Sequence, residues 1–334
     1  MRHLLAFFEP FILSLLATVA LASILPPQGT GQQIVSVAAN AAIVLLFFLH
    51  GAKLSRQAIM GAVLHWRLHL ATLVTTFVVF PALGLLIYKL NLVDSRLAVG
   101  ILFLSLLPST VQSSIAFTAM ARGNVAAAVC GASFSNLVGI FATPLLVTLL
   151  IAPSHSGSSG WHVAQSIFLQ LLLPFLLGHA MRPLLADSVA RHKKLVGLVD
   201  RGSILLVVYS AFGAAVLEGL WNEVSIPDLL TIGVICAVQL AIILTFTWQL
   251  GRWLHFAPED RAVLLFAGSK KSLASGVPMA GVLFPAASLG MIVLPLMIFH
   301  QLQLIVCAMI ARSLGEQADE RSAAAKAAPA AEGG

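Results

Sequence analysis

The stretch GSKKSLASG, residues 268–276, places two adjacent lysines and three serines between the apolar runs VLLFA (263–267) and VPMAGVLF (277–284). On a continuous helix Lys270 and Lys271 point roughly 100° apart, so one of them faces lipid or packing. A chain that unwinds here turns both toward an interior. Ser269, Ser272 and Ser275, with Gly268 and Gly276, suit an unwound crossing. The alternative is a pair of lysines snorkelling from an interface. Apolar residues continue on both sides, which favours burial at membrane depth. An ammonium there is costly and is by default a functional feature. Unwound backbone at that depth persists only where it lines a cavity or is covered by protein.

The rest of the chain fits this reading. Of 334 residues, 59% are hydrophobic and 10% charged, and the mean hydropathy is +0.97. A soluble domain carries far more charge. About ten apolar segments recur, each near the ~20 residues that a helix needs to cross a bilayer. They cover 4–25, 34–52, 66–88, 96–120, 123–151, 161–182, 202–220, 227–250, 258–284 and 287–312. The runs are continuously apolar, not alternating, which excludes a barrel. The first is a retained helix, since it has no clear A-x-A site and more spans follow. The expected class is therefore an all-α polytopic membrane protein.

Lys and Arg set the orientation. One group of connections holds Lys53, Arg56, Arg67, Arg122, Arg182, Arg191, Lys193, Lys194, Arg201, Arg252 and Arg261, and the termini add Arg2, Arg312, Arg321 and Lys326. The opposite connections hold Lys89 and Arg96. Both termini are expected in the cytoplasm, in a bacterial inner (plasma) membrane. The net charge of +6 is then a topology signal and implies no nucleic-acid partner. Residues 183–201 form the longest charged internal segment, expected as a cytoplasmic connecting loop. It separates 1–182 (spans 1–5 and span 6) from 202–312 (spans 7–10), and 313–334 is polar, Ala-rich and expected to be disordered.

Five spans in each half mean two halves of opposite orientation, an inverted repeat. In each half the fourth span is interrupted, at LLPSTVQSSIAFT (106–118) and at GSKKSLASG. Paired interruptions are the sequence mark of a midplane site in a secondary transporter. Gln112, Ser113, Ser114 and Thr118 of the first break are expected to line it. Ser133 and Asn136 share a face of span 5, where interhelical hydrogen bonding is nearly as good an account. Gln170, Tyr209 and Gln239 are assigned structural roles.

At these residues the chain resembles the bile acid:sodium symporter family, in a divergent branch similar to the seventh mammalian member. The proline-broken span before ARGNVA (121–126), TPLL (143–146), TFVVFPA (76–82) and FHQ (299–301) carry the resemblance, which covers residues 1 to about 312. It implies a panel domain of spans 1, 2, 6 and 7, a core domain of spans 3–5 and 8–10, and broken helices 4 and 9 that cross. It implies alternating access and sodium-coupled symport of organic anions. Carried over by position, the span-9 sodium-ligand glutamate falls on Phe266 and the following glutamine on Lys270. The span-3 glutamine falls on Thr76, a serine-asparagine pair on Ser114 and Ile115, and span-5 hydroxyls near Ser133, Ser135 and Asn136.

The expected ion-binding set is thus Ser114, Thr118, Ser133, Ser135, Asn136, Thr76 and Ser269, and the expected substrate-binding set is Lys270, Lys271, Gln112, Ser113, His300 and Gln301. Apart from a sodium ion no cofactor is implied. The lost carboxylate leaves three roles open for Lys270. It stands in for an ion, it attracts an anionic substrate with help from helix N-termini, or it carries a proton. The alternative functions are a proton-coupled or uncoupled anion transporter in which Lys270 replaces sodium, and a regulatory membrane protein that moves no solute. No H-E-x-x-H, P-loop or G-x-S-x-G motif occurs, which argues against an enzyme. Cys130, Cys236 and Cys307 lie far apart in apolar segments and read as small hydrophobes.

Overall fold

A computed structural model describes residues 10–53, 65–151 and 165–331. Residues 4–9 of the first expected span, Arg56 and the connection 152–160 lie outside the described residues. Every described regular element is helical. In chain order these are α1 (Pro10–Ile24), α2 (Gly29–Lys53), α3 (Trp66–Lys89), α4 (Ser95–Ser105), α5 (Gln112–Met120), α6 (Val125–Leu150), α7 (Gln165–Ala180), α8 (Arg182–Arg191), α9 (Lys193–Leu217), α10 (Leu220–Glu223), α11 (Ile226–Trp253), α12 (Pro258–Gly268), α13 (Leu273–Leu283) and α14 (Ala286–Ala331). Six of them, α2, α3, α6, α9, α11 and α14, are each long and apolar enough to cross a membrane. A seventh span follows if α7 and α8, bent by 62°, count as one.

Local chemistry fixes the helix starts. Asp94, Asn124 and Ser272 cap α4, α6 and α13 by accepting Arg96, Ala127 and Ser275 backbone N–H groups. Ser225 and Asp228 form a capping box on α11, with a proline in its first turn. The two short pairs α4/α5 and α12/α13 sit at the centre. Nine consecutive residues of α4, Leu97 to Ser105, are buried, as are Ala262 to Gly268 of α12. A helix buried on all faces must be surrounded by others. Here α14 packs on α4, α5, α11 and α13, while α12 packs on α3, α5, α6 and α11.

A second group, α1, α2, α7 and α9, packs together, and α9 joins it to α13 and α14. The contact between α2 and α7 is backbone on backbone. A Cβ on Gly51 would lie 2.0 Å from the Phe175 carbonyl oxygen, and one on Gly178 would lie 1.9 Å from that of Phe48.

Two expectations from the sequence are corrected. Residues 183–201 form no loop. They are α8 and the first turns of α9, with Pro183 in the first turn of α8, where its missing N–H costs nothing. Lys53 of α2 pairs with Asp200 and ties this segment down. The tail beyond 312 continues α14 to Ala331. Its alanines, glutamates and arginines are strong helix formers, and Arg312–Glu316 (3.0 Å) forms an i,i+4 pair. Arg122 donates from Nε and Nη2 to the two carboxylate oxygens of Asp319, each at 3.0 Å, and so fixes this extension to the α5–α6 turn.

Candidate functional site

The site is built where the breaks 106–111 and 269–272 meet. Its first ingredient is a set of backbone carbonyls that helices cannot satisfy. In α3, residues Thr75–Val79 are wound as a π-helix, so the Phe80 N–H reaches Thr75 O. In that register the Thr76 carbonyl would be served by residue 81, which is proline and has no N–H. In α4 the Ser105 carbonyl meets the same obstacle. Its i+3 partner is Pro108, and its i+4 partner, the Ser109 N–H, is diverted to Ser135 Oγ at 3.1 Å. Such orphaned groups at membrane depth have no water to turn to.

Each is answered by a side chain or backbone from elsewhere in the sequence. Lys271 Nζ donates to Thr76 O, Ser105 O and Leu107 O, each at 2.8 Å. Thr143 Oγ1 donates to Leu106 O at 2.8 Å. The Ser272 N–H donates to Pro108 O at 2.9 Å. Asn136 Nδ2 donates to Ser109 O at 2.8 Å, and its Oδ1 accepts from Ser275 Oγ at 2.9 Å. Five consecutive carbonyls, from Ser105 to Ser109, are thereby satisfied by α6 and by the second break. In return Ser114 Oγ donates to Phe266 O at 3.1 Å. The two breaks hold each other in place.

The two lysines differ completely. Both are fully buried. Lys271 uses all three of its donors on carbonyls, with the Phe80 ring 4.2 Å away. Its own backbone N–H and C=O pair with Gln303, at 2.8 Å to Oε1 and 2.9 Å from Nε2. Lys270 points to the other side. Its Nζ has no hydrogen-bond partner and sits 3.7 Å from the Phe117 ring centroid and 5.8 Å from that of Phe266. Phe266 stands where the family resemblance implies a carboxylate, and it offers a ring face instead of a counter-charge. Among the described residues neither ammonium has a carboxylate partner.

Of the residues expected from sequence, Lys270, Lys271, Ser114, Ser135, Asn136, Thr76 and Ser269 are brought together at the crossing. Ser269 Oγ caps back onto Leu265 O at 2.5 Å. Ser113 Oγ donates to Thr110 Oγ1, which also contacts Ser114 Oγ, both at 2.9 Å. Thr76 Oγ1 and Thr118 Oγ1 are buried without partners. His300 Nδ1 accepts from Gln303 Nε2 at 2.7 Å. Three expected residues are not drawn in. Gln112 is exposed, Ser133 is half-buried, and Gln301 has a shielded amide with both polar atoms unpaired. Gln303 was not among the expected residues. Its one signal is its place three residues after His300, on the same face of α14.

Six long apolar helices around two central helix breaks, with buried polar groups at the crossing, are the features of a polytopic membrane protein. Residues 9–316 match the SBF-like CPA transporter family, and the chain belongs to that family. It is similar to the Escherichia coli protein called "Putative symporter YfeH", 51% identical over 317 residues, 94% of this chain and 95% of that one. A Pseudomonas aeruginosa protein, PA2026, is 51% identical over 323 residues, 96% of this chain and 97% of its own. The mouse sodium/bile acid cotransporter 7 is 28% identical over 270 residues, 79% of each chain.

Proposed function

We propose that this chain is a secondary active transporter that carries a small organic anion by alternating access, with the anion bound at the crossing beside Lys270. The observation that carries the reading is a fully buried ammonium with no hydrogen-bond acceptor. Such a group is expensive unless something supplies the missing charge, and a bound anion does so. The aromatic faces of Phe117 and Phe266 stabilise the ammonium in the interval.

The wider reading keeps ten spans in two inverted five-helix repeats, with the connecting segment 183–201 and both termini on the cytoplasmic side of the inner membrane. The group α1, α2, α7 and α9, with α8 packed on it, serves as panel, and α3–α6 and α11–α14 serve as core. Packing of these helices into two groups supports this division. Sodium is the coupling ion, as in the name of the mouse relative. The oxygens offered to it are Ser114, Ser135, Asn136 and the unpaired hydroxyls of Thr76 and Thr118. A second reading draws on the missing carboxylate at Phe266. In it Lys270 exchanges a proton with each turnover and sodium has no part.

The test is uptake of labelled organic anions, bile acids among them, into proteoliposomes under sodium, potassium or choline gradients. Sodium-driven uptake by the natural protein that vanishes in Lys270→Met supports symport. Uptake that follows a proton gradient alone selects the second reading. Unchanged flux in a folded Lys270→Met removes Lys270 from the mechanism.

A further inference from the structure

The crossing contains a cluster of three backbone carbonyls that the chain fills with the ammonium of one of its own side chains. Three backbone carbonyls, Thr76 O of α3, Ser105 O at the end of α4 and Leu107 O of the first break, converge on one point. Oxygens in such an array replace the hydration shell of a potassium ion in channel filters. Here the point is occupied by Lys271 Nζ, 2.8 Å from each oxygen. The array does not depend on the lysine for its existence. Pro81 removes the donor that would serve Thr76 O, and Pro108 together with the diversion of the Ser109 N–H to Ser135 Oγ leaves Ser105 O unserved; all of these residues are distant in sequence from residue 271. The Phe80 ring closes one side at 4.2 Å from Nζ.

We propose that Lys271 is a tethered cation, and that removing its side chain exposes a carbonyl site selective for ions of ammonium or potassium size. The proposal is independent of whether Lys270 binds an anion, since the two ammonium groups face different neighbours. A cation that is part of the chain cannot be released during transport. It therefore holds the crossing closed at this point through every step, and it adds no ion to the coupling stoichiometry.

The experiment uses the full chain in detergent. Thermal unfolding of the natural protein, Lys271→Ala and Lys271→Met is compared in choline, sodium, potassium and ammonium chlorides at equal ionic strength. A ligand bound only by the folded state raises stability by mass action. The expected result is a low melting temperature for Lys271→Ala in choline and a saturable rise in potassium or ammonium, larger than in sodium. Lys271→Met fills the space with apolar atoms and gains nothing from any of these salts. The natural protein shows no rise specific to potassium or ammonium. A merely structural lysine predicts equal loss of Lys271→Ala in every salt, and that result overturns the proposal, as does an unaltered melting temperature in choline. If Lys271→Ala is lost on extraction, the yield of folded monodisperse protein extracted in each salt becomes the readout. Recovery in potassium or ammonium supports the site, and equal absence in all four overturns it.

Discussion

Replacing Gln303 by leucine isolates what holds the second break in place. The side chain is fully buried and spans the Lys271 peptide groups, accepting from the N–H at 2.8 Å and donating to the C=O at 2.9 Å. Leucine is of similar size, so the cavity term is small. What changes is that the two Lys271 backbone groups lose their partners, and His300 Nδ1 loses the donor that Gln303 also supplies. A buried group left unsatisfied costs about 1–3 kcal/mol, which gives roughly 2–6 kcal/mol for the pair. Hydrogen bonds between membrane helices average nearer ~0.6 kcal/mol, because the disrupted state finds other partners. That lower figure fails here. Lys271 lies in a break between α12 and α13, with no helix of its own to take the groups back. About 2–4 kcal/mol is therefore expected, read by reversible unfolding in mixed micelles followed by tryptophan fluorescence. Gln301→Leu is the control. Its amide nitrogen and oxygen are shielded and unpaired, so leucine there is neutral or stabilising. The reasoning is refuted if Gln303→Leu stays within about 0.5 kcal/mol of the natural protein, or if Gln301→Leu costs as much.

Gly178→Ala places a methyl 1.9 Å from the Phe48 carbonyl oxygen. Since the obstacle is backbone, no rotamer relieves it, and a loss of about 3 kcal/mol or failure to accumulate is expected. Gly197→Ala in α9 meets nothing within 4 Å and gains up to about 1 kcal/mol, both read by the same unfolding assay. The Asp319 carboxyl is held below the usual carboxylate range, first by its hydrogen bond from Arg122. The contact is thus complete above the free carboxylate range and is lost as pH falls through the lowered value. A nitroxide at position 320 is expected to gain mobility on acidification, and in Asp319→Ala to be mobile at every pH. Immobility of the label in that variant at neutral pH rules out the ion pair as the anchor.

The sequence revealed the two breaks because proline and clustered serines interrupt otherwise apolar runs, and 106–111 and 269–272 are where the helices stop. The first break itself contained Ser114, and the family resemblance pointed to the region of Ser135 and Asn136, which hydrogen-bond to the first break. It could not assign the lysines. Once the chain unwinds, the helical offset between Lys270 and Lys271 carries no direction. The answer lies in which carbonyls Pro81, Pro108 and the diverted Ser109 N–H leave free, more than 160 residues away. Gln301 and Gln303 in HQLQL were equally indistinct, since a residue's face on α14 is set by packing. The helical character of 183–201 and of the tail was concealed by charge, although their helix-forming residues were present throughout.

The pairing of the two breaks has a consequence for biosynthesis. Ser105 and the lysine that satisfies its carbonyl are 166 residues apart. At roughly 5–20 residues per second, a ribosome needs on the order of 10–30 s to make the intervening chain. For that interval the Thr76, Ser105, Leu107 and Pro108 carbonyls have no partner, and the first half cannot reach its final form until residues 271 and 272 emerge. The nascent first half must wait in a provisional arrangement until then. A chain truncated before residue 271 is then a substrate for quality control.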